Sequence, residues 1–467
     1  MLSALRFCSD SQHYSAMKLL ALALMLAITG SAAEWYVDAA RGNDENAGTS
    51  AEMAFRTIER LRREAITSGD HIRLARGSHW REQLSGLPPA VTIEAYGEGN
   101  RPLLDASDIV PVDAWQQQGT LYVVSWPHQL KQANKIKFSV WEDGLRMKRA
   151  SSVEEARATP GSFWAPEPVA DVNASVFVHP RDGNPVTNGH LYEISRREHG
   201  LAVSNGSQAI GIHTRRNGHN DGSLVGESNV VFRDCVAEDG TVHNVFLNSG
   251  LVEDVVAIHG EVYPGPGSSS LFVSYAKAAT GLGVIYRRAK AVGGDPARPG
   301  EVGGVVGFLQ HTTSTTEHYA HLVYESCEVS NVSVGFAGVA QNIVISGGVA
   351  SKAYHAISVQ ALKQLSVLGF RADGMDETTP MNRVIYGNSP STWVLQLDAQ
   401  LRDASGAMIW MNGNVEVSQS KLIFSGSTRS NSAIRVDEGS LKVADVQVQG
   451  AAQPFELGPG VSLEQIN

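Results

Sequence analysis

The stretch "VFRDCVAEDGTVHNVFLNSGLVEDVVAIHG", Val231 to Gly260, decides the fold because it says nearly the same thing twice. Phe232-Arg-Asp-Cys-Val-Ala returns twenty residues later as Val252-Glu-Asp-Val-Val-Ala. The phrase recurs at Tyr286, Tyr324, Ile345, Val367, Val394, Val417 and Val443, in steps of 20, 34, 38, 21, 22, 27, 23 and 26 residues. A base step in the low twenties with occasional insertions is the signature of a solenoid. Apolar residues alternate with polar ones over only four to six positions, so the repeating units are strands.

A second strand recurs within each unit: "HNVFLNSG" (243–250), "SLFVSYAK" (270–277), "GVVGFLQH" (304–311), "SVGFAGVA" (333–340), "HAISVQAL" (355–362) and onward to "QPFELGPG" (453–460). Two or three strands per turn of about 22 residues describe a parallel β-helix, in which each strand pairs with its equivalent one turn on, at about 4.8 Å. Inward residues then stack into one long apolar core. The 46 glycines suit the tight corners between strands. Cys235 and Cys327 fall in one inward column three turns apart, roughly 14 Å by strand spacing. A disulfide needs Cα atoms within about 7 Å, so both are expected as buried free thiols.

The ends and the charge bound the setting. Met17-Lys18, the apolar run "LLALALMLAI" and the small residues of "TGSAA" read as a secretory signal peptide ending at Ala33, with Met17 as the expected start. The run is too short for a permanent membrane anchor. A secreted or periplasmic protein is therefore expected, without a membrane anchor and monomeric. The chain carries a formal charge of −10. That argues against nucleic-acid binding, which needs a basic footprint, and any acidic polysaccharide would need a local basic cleft.

The segment "EWYVDAARGNDENAGTSAEMAFRTIERLRREAITSGDHIRLARGSHWREQL" (34–84) resembles the entry segment of secreted right-handed parallel β-helix proteins of the pectate-lyase-like, carbohydrate-active group. In it a strand, an Asn/Gly-rich loop and a short helix, here "TIERLRREA", precede the first coil strands. "VTIEAYGEGNRPLLDAS" and "FSVWEDGLRMKRA…PGSFWAPEPV…ASVFVHPRDGNP" are similar to the same group. The expected organisation is a cap and first turns over 34–106, a β-rich insertion over 107–195 and the main β-helix over 196–467. The insertion holds Trp115, Trp126, Trp141 and Trp164, four of the eight tryptophans. The fold class is all-β: a right-handed parallel β-helix solenoid with an N-terminal capping helix and a small β-rich insertion.

That resemblance implies a polysaccharide or oligosaccharide substrate, cleaved by a polysaccharide lyase or a glycoside hydrolase; a non-catalytic glycan binder is the alternative from another class. Polygalacturonase-type hydrolase motifs are absent, "GHNDG" (218–222) being only a distant likeness, and no pectate-lyase-type arginine signature is present. Seven of the fifteen histidines, His213, His219, His243, His259, His311, His318 and His321, concentrate in the central turns with the longest insertions.

Histidine serves as a base near neutral pH, and arginine neutralises a carboxylate. Those are the demands of β-elimination on a uronic acid, with His219 or His243 as base and Arg215 or Arg216 as neutraliser. His243 shares its place before a strand with His199 and His355, which also fits a structural corner residue. If Val245 and Leu247 point inward, Phe246 and Asn248 point outward, and Phe272 is expected beside Phe246 as a sugar-stacking platform, with Lys277 following. Hydrolysis would instead draw a carboxyl pair from Asp221, Glu238, Asp239 and Glu261. Calcium on carboxylate oxygens is an alternative neutraliser, and no other cofactor is implied.

Overall fold

The computed structural model describes residues 32–129, 137–166, 173–260, 269–276, 283–294, 303–312, 318–376, 381–426 and 432–466. Residues 1–31 of the signal peptide read over 1–33, the candidate carboxylate Glu261 and the proposed sugar contact Lys277 lie outside them.

The chain winds into a parallel β-solenoid of about 14 turns. Each central turn lays down three short strands, such as Leu224–Gly226, Val230–Arg233 and Val236–Glu238, before His243–Leu247 opens the next. Every step of the expected repeat pairs in parallel: Phe232 with Val252, then Tyr286, Tyr324, Ile345, Val367, Val394, Val417 and Val443.

Two residues beyond each of these positions the backbone turns a corner in the left-handed region. It does so in ten successive turns, at Gly211, Asp234, Asp254, Arg288, Ser326, Gly347, Gly369, Gln396, Gln419 and Asp445. Aspartate and glycine suit that conformation; arginine, serine and glutamine adopt it because the ladders on either side hold them there.

Burial drives the stack. Phe272, Phe308 and Phe336 lie ring on ring at 4.6 and 5.2 Å, and Tyr286 stacks on Tyr324 at 5.3 Å. The two columns meet edge to face, with Phe308 5.1 Å from Tyr286. Such contacts add about 0.5–1.5 kcal/mol each beyond area burial. Phe272 is thus a core residue, and its expected place on an outer platform is corrected. Phe272 pairs with Val245, and Phe246 with Val273. In "SLFVSYA" three consecutive residues, Leu271 to Val273, are apolar, so alternation alone does not set the register, and a one-residue slip reverses every face.

At the N-terminus the helix is a single turn, Ile58–Leu61, capped by Thr57 Oγ1, which accepts the Arg60 N–H at 3.0 Å. Beyond it the N–H groups of Arg63 and Glu64 bond to Arg60 and Leu61, tightening the chain out of the longer helix expected from "TIERLRREA". Ile58 and Leu61 are fully buried in the main core. Ser107 pairs with Ser195, so the chain leaves and re-enters the coil side by side. Between them stand two small, largely antiparallel sheets and the helix Val153–Ala158, packed on their own core of Trp115, Trp126, Phe138, Val140, Phe163 and neighbours.

Cys235 and Cys327 are free and buried in one column, separated by Val255 and Ala289. Burial pushes the Cys235 thiol up to about 11 and the Cys327 thiol up to about 12. In a protein comprising residues 34–467 both thiols are expected to resist a thiol reagent in the native state and to titrate as two on denaturation. Native reactivity, or a single disulfide, would contradict the shared inward column.

Candidate functional site

Arg215, Arg216, Glu238, Asp239, His213 and His259 gather at one corner of the coil, where the third strand of a turn hands over to the first strand of the next. Three successive turns contribute the strands His213–Arg215, Val236–Glu238 and Val256–Ile258. Each is followed by a residue in the left-handed region: Arg216 (φ 61°), Asp239 (φ 53°) and His259 (φ 56°). The corner backbone is tied by Asn244, whose amide donates to the carbonyls of Ala237 (2.9 Å) and Ile258 (2.7 Å). Along each strand side chains alternate between faces; at this corner Arg216 meets Glu193 and Trp141 of the insertion, and Asp239 meets Arg146.

The result is a dense charge network. Asp105, fully buried, accepts from Arg215 Nε at 2.8 Å and from Ser107 Oγ at 2.7 Å, with His79 at 3.3 Å and Arg81 at 3.4 Å. Burial alone would raise its pKa; the His79 hydrogen bond and the Arg215 charge outweigh that and hold it well below the usual carboxylate range. Glu193, from the insertion, takes Arg81 at 2.5 Å and Arg216 in a tight ion pair. Arg216 is 4% exposed, and its guanidinium lies 4.9 Å from the ring of the buried Trp141, which Arg146 also faces at 5.5 Å. Four arginines, 81, 146, 215 and 216, thus balance Asp105, Glu193, Glu238 and Asp239. Arg216 is a clamp between insertion and coil; breaking one side of such a buried pair typically costs about 3–5 kcal/mol.

Glu238 and Asp239, neighbours in sequence, have opposite environments. Glu238 accepts a 3.0 Å contact from His213 Nε2; that hydrogen bond, with the charges of His213 and Arg215, lowers its pKa against the cost of burial. Asp239 lies 3.6 Å from Arg146 and 3.5 Å from Arg216, beyond tight hydrogen-bond length. Burial dominates there, and its pKa is raised.

His259 Nδ1 stands between the two, 3.9 Å from Glu238 Oε1 and 4.0 Å from Asp239 Oδ1, which bounds their separation at 7.9 Å, the sum of the two distances. That admits the roughly 5 Å spacing of a retaining glycosidase pair and the shorter part of the inverting range. The Glu238 side chain is 23% exposed and that of His259 29%, so the pair opens to solvent on their side.

The proposed bases are placed differently. His219 is buried, its ring 5.2 Å from His199, and its Nδ1 lies 3.2 Å from the Asp221 N–H and 3.5 Å from Asp221 Oδ2. His243 is nearly buried one turn on, its Nδ1 2.9 Å from Ser270 Oγ; burial lowers its pKa to about 4, against the pull of Asp221. His199, His243 and His355 do share one column of the coil, through Gly222, Ser270, Val306 and Val334.

Phe246 is covered and meets Tyr275 at 5.3 Å, which stacks on His311 at 4.9 Å. The aromatic row on the outer face is therefore Phe246–Tyr275–His311, and Tyr275 was legible as the outward partner once the register of Phe272 is set. Asn248 is half-buried, and its carbonyl accepts the Tyr319 hydroxyl. Arg81, Asp105, Arg146 and Glu193 carry no recurring signal and come to the site only through the insertion and the first turns. Among the described residues no three His, Cys, Asp or Glu side chains converge as a metal site, and no helix is long and apolar enough to cross a membrane.

No protein-family model matches the chain, and no curated protein sequence matches it. Solved structures do. The structure of XylC in complex with xylose superposes with a TM-score of 0.56 at 9% identity, covering 91% of this chain and 86% of that one. A glycoside hydrolase structure gives 0.44 at 10% identity, over 92% and 97%. The GH136 lacto-N-biosidase from Eubacterium ramulus gives 0.38 at 10% identity, over 96% and 70%. The first likeness is one of fold alone, a β-solenoid; chemistry has to come from the residues.

The His243 environment has a pH consequence. Its folded pKa of about 4 lies below the unfolded value near 6.5. Protonation thus favours the unfolded chain, and its contribution is intact above pH 6.5 and lost as pH falls towards 4. Over that window the wild type is expected to lose about 3 kcal/mol more unfolding free energy than H243Q, measured by denaturant titration. Parallel pH profiles for the two proteins would contradict a buried neutral imidazole.

Proposed function

We propose that the protein is a secreted or periplasmic glycan-cleaving enzyme acting by hydrolysis at Glu238 and Asp239. The observation that carries this is the carboxyl pair on one corner, flanked by His259, with one member lowered by hydrogen bonding and the other raised by burial. Two carboxyls with separated pKa values are what glycosidic hydrolysis needs, one to donate a proton and one ionised. Asp239 would give its proton to the glycosidic oxygen as the bond to the anomeric carbon breaks. Glu238, ionised, would attack that carbon or take a proton from the water that does; water finally supplies the hydroxyl on the carbon and restores the proton.

The fold's likeness to a structure solved with xylose supports a saccharide substrate, and the stacked Tyr275–His311 pair supports contact with a sugar ring. Elimination has less support. Its neutralisers Arg216 and Arg215 are bound to Glu193 and Asp105, and His219 is packed against His199.

The test is a panel of neutral and acidic polysaccharides, read both for new reducing ends and for ultraviolet absorbance of a new C=C bond. Reducing ends without that absorbance are expected, and E238Q and D239N are each expected to lower kcat by about 10²–10⁴. An absorbance signal, or full activity in either variant, would overturn the assignment. Binding without cleavage of any glycan would favour a non-catalytic glycan-binding protein.

A further inference from the structure

On the outer face of the second strand of each turn, one column is apolar over five successive turns. Val231 pairs with Leu251, Leu251 with Ile285, Ile285 with Val323 and Val323 with Val344. The residue after each one, from Phe232 to Ile345, is buried in the main core, so the column itself faces outward. Ile285 is 37% exposed and the others are half-buried. At one strand spacing per turn the stripe is roughly 19 Å long. Scattered apolar residues on a surface are ordinary, whereas contiguous ones mark interaction sites.

Two residues on, a charge ladder runs beside the stripe: Arg233, Glu253, Arg287 and Glu325, in four successive turns. Glu253 accepts from Arg233 Nε at 2.8 Å, Arg287 Nη1 at 3.4 Å and Arg288 Nη2 at 2.9 Å. Glu325 accepts from Arg287 Nε at 2.6 Å, and at the adjoining corner Arg288 holds Asp254 at 2.7 Å. Arginines 233, 287 and 288 thus balance Glu253, Asp254 and Glu325, and Asp234 is matched by Arg101. The flank is neutral in a chain of formal charge −10, so a second copy meets no net repulsion there.

The order of the charges selects the arrangement. A ladder that reads Arg, Glu, Arg, Glu becomes Glu, Arg, Glu, Arg when reversed. A two-fold axis lying along the strands, midway between the turns of Leu251 and Ile285, reverses it. Arg233 of one copy then faces Glu325 of the other, and Glu253 faces Arg287. The same axis sets Leu251 on Ile285, Val231 on Val323 and, at the corner, Asp254 beside Arg288. One operation matches all three rows, as an isologous contact requires. Turning the second copy about the coil axis instead would bring the ladder onto the row of His321 and Asn342, two residues before the stripe, and leave its charges unmatched.

We infer that this flank is a dimer interface, joining two copies of the chain with their coils antiparallel. Glu238 and Asp239 lie at the far end of the third strand, Val236–Glu238, and stay outside the contact. The inference departs from the monomer expected from the sequence and is independent of the catalytic assignment.

Sedimentation velocity of residues 34–467, up to about 100 μM, tests it. The wild type is expected to pass from monomer to dimer as concentration rises. I285D is expected to weaken the dimer by about tenfold or more, with the fold intact by circular dichroism. R233E and E325R are each expected to weaken it likewise, because like charges then face each other across the axis. Mixed in equal amounts, these two variants are expected to recover the dimer, since every facing pair is again opposite in sign. Side chains that served only their own coil would not be rescued by mixing. A wild type that stays monomeric throughout, or an I285D dimer as tight as the wild type, would overturn the inference. Failure of the R233E and E325R mixture to reform the dimer would overturn the antiparallel pairing.

Discussion

Everything in this molecule depends on parallel strands being stacked in register, turn upon turn, about 4.8 Å apart. Register forces the same backbone corner to recur, and one corner is left-handed in ten consecutive turns whatever residue occupies it, from Gly211 through Arg288 to Gln419. A non-glycine residue pays about 1–2 kcal/mol for that conformation. The ladder bonds on either side and the stacked interior, where Phe272, Phe308 and Phe336 form one column, offset the cost. Removing the register would dissolve the aromatic column and the corner together.

The same constraint makes the candidate site. Because the second corner is also left-handed at Arg216, Asp239 and His259, three adjacent turns direct charged side chains to one place. There the insertion meets the coil and buries Arg216 and Asp239, so electrostatic contacts strengthen and unpaired charge becomes costly. The network answers with four arginines against four carboxylates. Asp239 is the carboxylate with the loosest arginine contacts, and that looseness lets burial set its pKa. Glu238, one residue earlier and on the more open side, is governed by His213.

Much of the coil was legible in the sequence because its signal is repeated. The column from Phe232 to Val443 could be read from apolar positions alone, and the burial of Cys235 and Cys327 followed from it. Register failed where the signal is locally degenerate: three consecutive apolar residues at Leu271–Val273 fit either face, and Phe272 went to the wrong one. At the corner the sequence neighbours became spatial ones only in part: Arg215, Arg216, Glu238 and Asp239 meet there with His213 and His259. Roles within it were not legible. Whether Arg216 binds a ligand or Glu193 depends on an insertion that reaches it from about seventy residues away, with Gly144 and Trp141 beside the guanidinium.

The central claim is that two adjacent carboxyls are driven apart by their surroundings. The most direct measurement is a carbon-13 NMR titration of the Glu238 and Asp239 side-chain carboxyls in the intact protein, assigned with E238Q and D239N. Asp239 titrating above the ordinary aspartate value and Glu238 below the ordinary glutamate value is the result this structure predicts. Asp239 ionising below its ordinary value, as a third partner of Arg146 and Arg216, would contradict it and leave the corner a structural clamp.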